Sequence, residues 1–176
     1  MFPLIVRPFR IGASWAHGAW LVCGLVVALA AAPLEAAILQ CVQYAREITQ
    51  VPLQGDAWTW WGKASRAGLV RGQAPEAGSI LVFRRTDRLS RGHVSVVAEV
   101  LGRREITVDH ANWASRRDRS ARGNVDRSIL VVDVSPRNDW SAVRVWHAPS
   151  DSLGQRAYPT YGFIYPASDS QVASNY

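Results

Sequence analysis

One cysteine and two histidines in the central part of the chain have the residue types of a nucleophilic site. They are Cys41, His93 and His110. A thiol nucleophile needs a base that takes its proton and a further group that orients the base. The first turn of a helix favours the thiolate, because its free backbone N–H groups and the helix dipole stabilise negative charge. These residues therefore indicate a cysteine-dependent hydrolase or acyltransferase.

Two short helices are predicted at the start of this region. Apolar residues recur at helical spacing over residues 39–50, so Cys41 falls in the opening turn of the first helix. Residues 56–68 read as a second helix, with Asp56 as a candidate N-cap and Gly68 after its end. The cysteine is thus expected where a helix can influence its charge.

The rest of the chain changes to the pattern of β-strands. Six short segments are rich in β-branched and aromatic residues, and turn-forming residues separate them: Ser79–Phe83, His93–Leu101, Glu105–His110, Ile129–Val134, Ala142–Trp146 and Tyr161–Tyr165. Helices followed by strands, without βαβ alternation, predict an α+β domain with an antiparallel sheet.

A hairpin is expected to bring the two histidines together. Residues 102–104 form the turn between two strands, of which one begins at His93 and the other ends at His110. Antiparallel pairing brings the two side chains to one end of the sheet, where one imidazole can orient the other if both point to the same face. The alternative is that each histidine is only a hydrogen-bonded strand-end residue and that Cys41 is buried and inert.

The first 36 residues have the pattern of an export signal. Two arginines precede the apolar run Ala19–Ala32, which is too short for an ordinary membrane span of about 20 residues. A cleaved signal peptide and an uncleaved N-terminal anchor both remain open, and either one predicts an exported protein that is periplasmic, secreted or anchored in a membrane. Cleavage would remove Cys23 and leave Cys41 as the sole thiol.

Composition narrows the class of protein further. The 176 residues carry a formal charge of +6, with 48% hydrophobic and 19% charged residues, which excludes a disordered chain and a multi-pass membrane protein. Two cysteines exclude a four-cysteine zinc site, and no HExxH spacing occurs, so neither a metal nor an organic cofactor is expected. No nucleic-acid-binding motif is present, and export would separate the protein from that partner.

Five segments around the candidate residues resemble the CHAP domains, the cysteine- and histidine-dependent amidohydrolases and peptidases of bacterial cell-wall metabolism. The segments are Cys41–Arg46, Gly55–Trp58, Pro75–Ser79, Gly92–Val97 and Val108–Trp113. The resemblance implies a papain-like fold over residues 37–167, with N-terminal helices packed on an antiparallel sheet. The polar residues 168–176 are expected to form a flexible tail. It also implies that Cys41 is the nucleophile and His93 the general base.

The third catalytic position departs from the pattern of many CHAP domains. Their Glu-x-Asn-Trp is matched here by a segment in which His110 stands in place of the glutamate. We expect His110 to be the third residue, with Asn112 in support. Asp109 is the alternative, although strand alternation points it to the opposite face. The backbone N–H of Cys41 and the side chain of Gln40 are the candidate oxyanion donors.

The resemblance implies a monomeric enzyme that cleaves amide bonds in peptidoglycan or its peptide stems. An inactive envelope-binding module and a thiol amidase or acyltransferase for a small molecule are the alternatives. Trp113 and Trp60 are the candidate cleft residues, whereas Trp58 and Trp61 share a helical face and favour core packing. A basic loop is either simply solvated or attracts an anionic polymer; its arginines are Arg116, Arg117, Arg119 and Arg122.

Overall fold

The computed structural model describes residues 38–113 and 122–167. The expected export signal, the arginines at 116, 117 and 119, and the expected tail at 168–176 lie outside these ranges. No helix within the described ranges is both long and apolar enough to cross a membrane.

Two α-helices precede all the strands of the described chain. Helix α1 is Cys41–Thr49, and α2 is Trp60–Arg66, which follows a 3₁₀ turn at Ala57–Thr59. Gln40 stands just before α1 in an extended conformation, and its carbonyl accepts the first N–H groups of the helix. The first predicted helix is confirmed; the second is shorter, and Asp56 makes no side-chain cap.

All strand pairs are antiparallel, and the six predicted strands are present with small changes at their ends. Two very short strands, β1 and β7, escaped prediction because two or three residues show no periodicity. The strands are β1 Val70–Gly72, β2 Ile80–Phe83, β3 His93–Val100, β4 Glu105–Ala111, β5 Val125–Asp133, β6 Ala142–His147, β7 Ser152–Leu153 and β8 Tyr158–Tyr165.

The sheet closes on itself. Its order is β1-β8-β2-β3-β4-β5-β6-β7, and β8 also pairs with β6. A barrel of six strands results, with β1 and β7 at its margins; its strands are β2, β3, β4, β5, β6 and β8. Gly162 lies where β8 changes register against β2; its φ is 124°, and a Cβ there would lie 2.5 Å from the Gly72 carbonyl oxygen. The mixed helix-and-sheet class is confirmed, but the sequence did not predict the closure into a barrel.

Two apolar cores follow from the alternation of side chains along the barrel strands. One fills the barrel and includes Phe83 and Val108. The other lies outside, where Ala45 of α1 and Trp60 of α2 meet residues of β2, β3 and β8. Cys41 packs at the edge of this outer core, so α1 holds the thiol beside the barrel wall.

Candidate active site

The two histidines of the hairpin are in direct contact. Nε2 of His93, at the start of β3, lies 3.2 Å from Nδ1 of His110, near the end of β4. The hydroxyl of Ser95 lies 3.1 Å from the same Nδ1. Both imidazoles are almost completely buried. The prediction that the hairpin brings these side chains to one end and one face of the sheet is therefore confirmed.

Burial keeps both imidazoles uncharged near neutral pH. It lowers the pKa of His93 well below 6.5, and the neighbouring His110 lowers it further. Burial also lowers the pKa of His110 to about 4. Two neutral imidazoles carry one N–H each, so one ring can donate to the other across the 3.2 Å contact.

Cys41 is the first residue of α1 and a free cysteine; the residue as a whole has intermediate exposure. Helix α1 lies against β3 and β4, and a backbone hydrogen bond links the thiol to Val94, the residue after His93. No hydrogen bond between Sγ and either imidazole is present in the described part of the chain. The structure thus places Cys41 near the backbone of Val94, one residue after the start of β3.

The charge state of the thiol differs from the expectation based on the helix alone. Burial raises the pKa of Cys41 above its ordinary value, and backbone hydrogen bonds involving Val94, Val42 and Cys41 itself lower it by less. Burial therefore opposes the thiolate that a helix start favours, because the cost of burying the charge exceeds the stabilisation by these amides.

Asn112 contacts the candidate oxyanion residue and neither histidine. Its side-chain N–H donates to Oε1 of Gln40 over 2.9 Å, and its Oδ1 accepts the backbone N–H of Gly123. Asn112 has a φ of 59°, a left-handed conformation that asparagine tolerates better than most residues. The Gln40 amide in turn donates to the carbonyl of Ile38. Asn112 therefore links the end of β4 to the start of α1.

Asp109 points away from the histidine pair. Its Oδ1 accepts the backbone N–H of Ser128 over 2.8 Å, and its charge acts on Tyr44 of α1, whose pKa is raised first by burial and then by this carboxylate. Strand alternation predicts this orientation, since His110 is the next residue on β4.

Of the two tryptophans expected to line the cleft, Trp113 lies beside the histidine pair and Trp60 lies in the core. The Trp113 ring lies 4.6 Å from that of His93 and stacks on His110 at 5.2 Å, so it lies beside the histidine pair as expected of a cleft residue. Trp60 is 0% exposed, which contradicts its assignment to a cleft. The 3₁₀ turn before α2 shifts the helical phase, so that Trp60 faces the core with Ala57 and Ala64 while Trp61 is partly exposed.

Comparison with known protein families identifies the region that contains these residues. The family model of the CHAP domain matches residues 33–112, which begin before α1 and end just after β4. This segment belongs to the CHAP domain family. CHAP domains are in general cysteine- and histidine-dependent hydrolases, and membership suggests a peptidoglycan amidase or peptidase role. No curated protein matches the chain.

Within and beside this CHAP segment, two polar residues next to His110 were missed by sequence reasoning. Ser95 is two residues after His93, and strand alternation places both on one face, so that signal was available. Asp126 of β5 has its Oδ2 3.9 Å from Nε2 of His110. Nothing local indicated Asp126, because β5 was expected to begin only at Ile129 and residues before 128 were read as a loop.

The described residues contain no cluster of three or more His, Cys, Asp or Glu side chains that could hold a metal ion. The contact between the two imidazoles allows a proton to be shared between His93 and His110.

Proposed function

We propose that the protein is an exported cysteine amidohydrolase or endopeptidase that hydrolyses amide bonds in peptidoglycan. The single observation that carries the proposal is the contact between His93 and His110 at the strand end to which α1 brings Cys41. Membership of the CHAP family supports the reaction class and the cell-wall substrate. The export pattern of the first 36 residues supports a location at or beyond the bacterial inner membrane.

The atoms in contact suggest how the proton travels. Nε2 of His93 is engaged with His110, so Nδ1 is the nitrogen left for the thiol. A neutral His93 whose proton is on Nε2 donates to His110 and keeps a lone pair on Nδ1. It can then act as the general base for Cys41.

The proposed reaction has two stages. First, the proton of the Cys41 thiol moves to Nδ1 of His93, and Sγ bonds to the carbonyl carbon of the amide. The amide C–N bond then breaks, and the nitrogen leaves as an amine with the proton from His93. Second, water loses a proton to His93 and attacks the thioester. The C–S bond breaks, the product leaves as a carboxylic acid, and the thiol recovers its proton.

The resting protein holds neutral partners in this scheme. Burial raises the pKa of the thiol and lowers that of both histidines, so a preformed thiolate–imidazolium pair is disfavoured before substrate binds. Proton transfer then accompanies attack on the carbonyl. The backbone N–H of Cys41 and the amide of Gln40, which Asn112 holds, would stabilise the oxyanion.

One observation favours a second function, an envelope-binding module without catalysis. The thiol has a raised pKa, and within the described residues it forms no hydrogen bond with a histidine. A module of this kind would bind peptidoglycan through the same face, with the partly buried Trp113 as an aromatic contact, and release no product.

Digestion of purified cell walls separates the two functions. The protein without its first 36 residues is incubated with peptidoglycan from several bacteria, and new amino groups and product masses are measured. We expect wild type to release amines and Cys41→Ala to release none while its circular dichroism is unchanged. Equal inactivity of both proteins, with retained binding to the walls, would support the binding module. The product masses identify whether the sugar–peptide amide or a peptide cross-link is cleaved.

A further inference from the structure

The second nitrogen of His110 lacks a hydrogen-bond partner among the described residues. Nε2 of His110 is buried and makes no hydrogen bond there. A buried ring nitrogen without a partner costs free energy, so its neighbours determine whether it carries the proton. Asp126 of β5 lies opposite His110 of β4 in the antiparallel pairing of these strands.

Asp126 lies near this nitrogen, although beyond hydrogen-bond distance. Its Oδ2 is 3.9 Å from Nε2 of His110, and its side chain is 43% exposed. A carboxylate only accepts protons, so its negative charge favours a ring with N–H at Nε2 and disfavours a lone pair there. Burial raises the pKa of Asp126 above its ordinary value, and the partial exposure of its side chain to water limits this cost of ionisation.

The nitrogen of His110 that carries the proton determines which nitrogen of His93 carries one. If His110 carries its proton on Nε2, its Nδ1 has only a lone pair, which can accept from Nε2 of His93 and from the hydroxyl of Ser95. His93 then keeps its lone pair on Nδ1. With the proton on Nδ1 of His110 and donated to His93, the His93 proton would instead occupy Nδ1, and His93 could not act as a base there.

We propose that Asp126 is a positioning residue that holds His110 in the Nε2–H form and thereby leaves Nδ1 of His93 free to accept the thiol proton. The tautomer of His110 can be tested independently of any reaction, whereas the consequence for catalysis rests on the function proposed above. Asp126 acts through His110 and touches no reacting atom in this scheme. The reaction steps proposed above stay the same; Asp126 changes only which ring nitrogen of His110 carries the proton.

Nuclear magnetic resonance of ¹⁵N-histidine-labelled protein tests the tautomer directly. Two-bond ¹H–¹⁵N correlations show which ring nitrogen carries the proton, and the His110 signals are identified by their loss in His110→Gln. We expect Nε2–H in wild type. In Asp126→Asn the amide can donate to Nε2, so the Nδ1–H form should gain population. Asp151→Asn is the matched control, because Asp151 is exposed in a left-handed turn that asparagine also accepts.

Hydrolysis of cell walls provides the second measurement. We expect Asp126→Asn to lower kcat by about tenfold or more with little change in KM, because misplaced protons affect the reaction rather than binding. Asp126→Glu, which retains the charge, should restore part of the rate. Circular dichroism and thermal unfolding identify any variant that fails to fold, and Asp126→Glu then supplies the comparison with wild type.

Several outcomes would overturn the proposal. They are an Nδ1–H ring in wild type, an unchanged tautomer in Asp126→Asn, or a rate loss in that variant no larger than in Asp151→Asn. If wild type itself is inactive while the tautomer changes as expected, the positioning role stands and the proposed hydrolase function fails. The two ideas are therefore tested separately.

Discussion

The buried His110 should make the protein lose stability in mild acid. Its pKa is lowered from 6.5 to about 4 by burial, so the unfolded chain binds this proton more tightly than the folded protein does. As the pH falls below 6.5, unfolding takes up a proton and the free energy of unfolding decreases. Below a pH of about 4 both states are protonated, and the loss is complete.

The size of the effect follows from these two pKa values. Linkage gives a loss of about 2 kcal/mol between about pH 7.5 and about pH 5, and roughly 3 kcal/mol over the whole range. Ordinary carboxylates stay mostly ionised at about pH 5, so they contribute little in this interval. His93 adds to the loss in the same direction, because burial and its neighbour His110 lower its pKa as well.

Urea unfolding at the two pH values measures this loss in wild type and in His110→Gln. We expect the variant to lose at least about 2 kcal/mol less than wild type, since it lacks the buried imidazole and relieves part of the effect on His93. His147→Gln is the control, because His147 is an exposed histidine at the end of β6. Equal losses in wild type and His110→Gln would refute the reasoning, and so would a loss that disappears in His147→Gln.

Three further predictions concern the site. Alkylation of Cys41 by iodoacetamide should be slower near neutral pH than that of a free cysteine and should increase only above the usual thiol range, because burial raises its pKa; rapid alkylation at neutral pH would contradict this. His110→Ala should lower the rate of wall hydrolysis by at least about 100-fold. Asp109→Asn retains a carbonyl oxygen that can accept the Ser128 N–H, so it should change this rate by less than about threefold. The reverse order would assign the third catalytic position to Asp109. Asn112→Gly retains the left-handed backbone conformation but loses the hydrogen bond to Gln40. We expect kcat to fall by about tenfold with a similar KM. An unchanged kcat would exclude Gln40 as an oxyanion donor.

Local patterns were sufficient for both helices, for the six longer strands among the described residues and for the histidine pair. Strand periodicity and the turn at residues 102–104 indicated the hairpin, and an antiparallel hairpin brings His93 and His110 together without help from distant residues. The beginning of α1 at Cys41 was likewise readable from helical spacing. The order of the motifs identified the CHAP family, which the family match confirms.

Sequence patterns did not predict the barrel closure or the burial of Trp60. Closure of the barrel requires β8 to pair with both β2 and β6, and periodicity along one strand does not specify its partners. A single 3₁₀ turn rotated Trp60 into the core, which a regular helical spacing could not predict.

The sequence by itself determined which residues can exchange protons and which local elements carry them. Only the tertiary structure decided their charge states, because a pKa depends on burial by segments far away in the chain. Helix position alone predicted a thiolate at Cys41, yet packing beside the barrel raises its pKa. The same holds for His110, whose environment includes Asp126 from another strand, so proton positions are a property of the assembled barrel rather than of any motif.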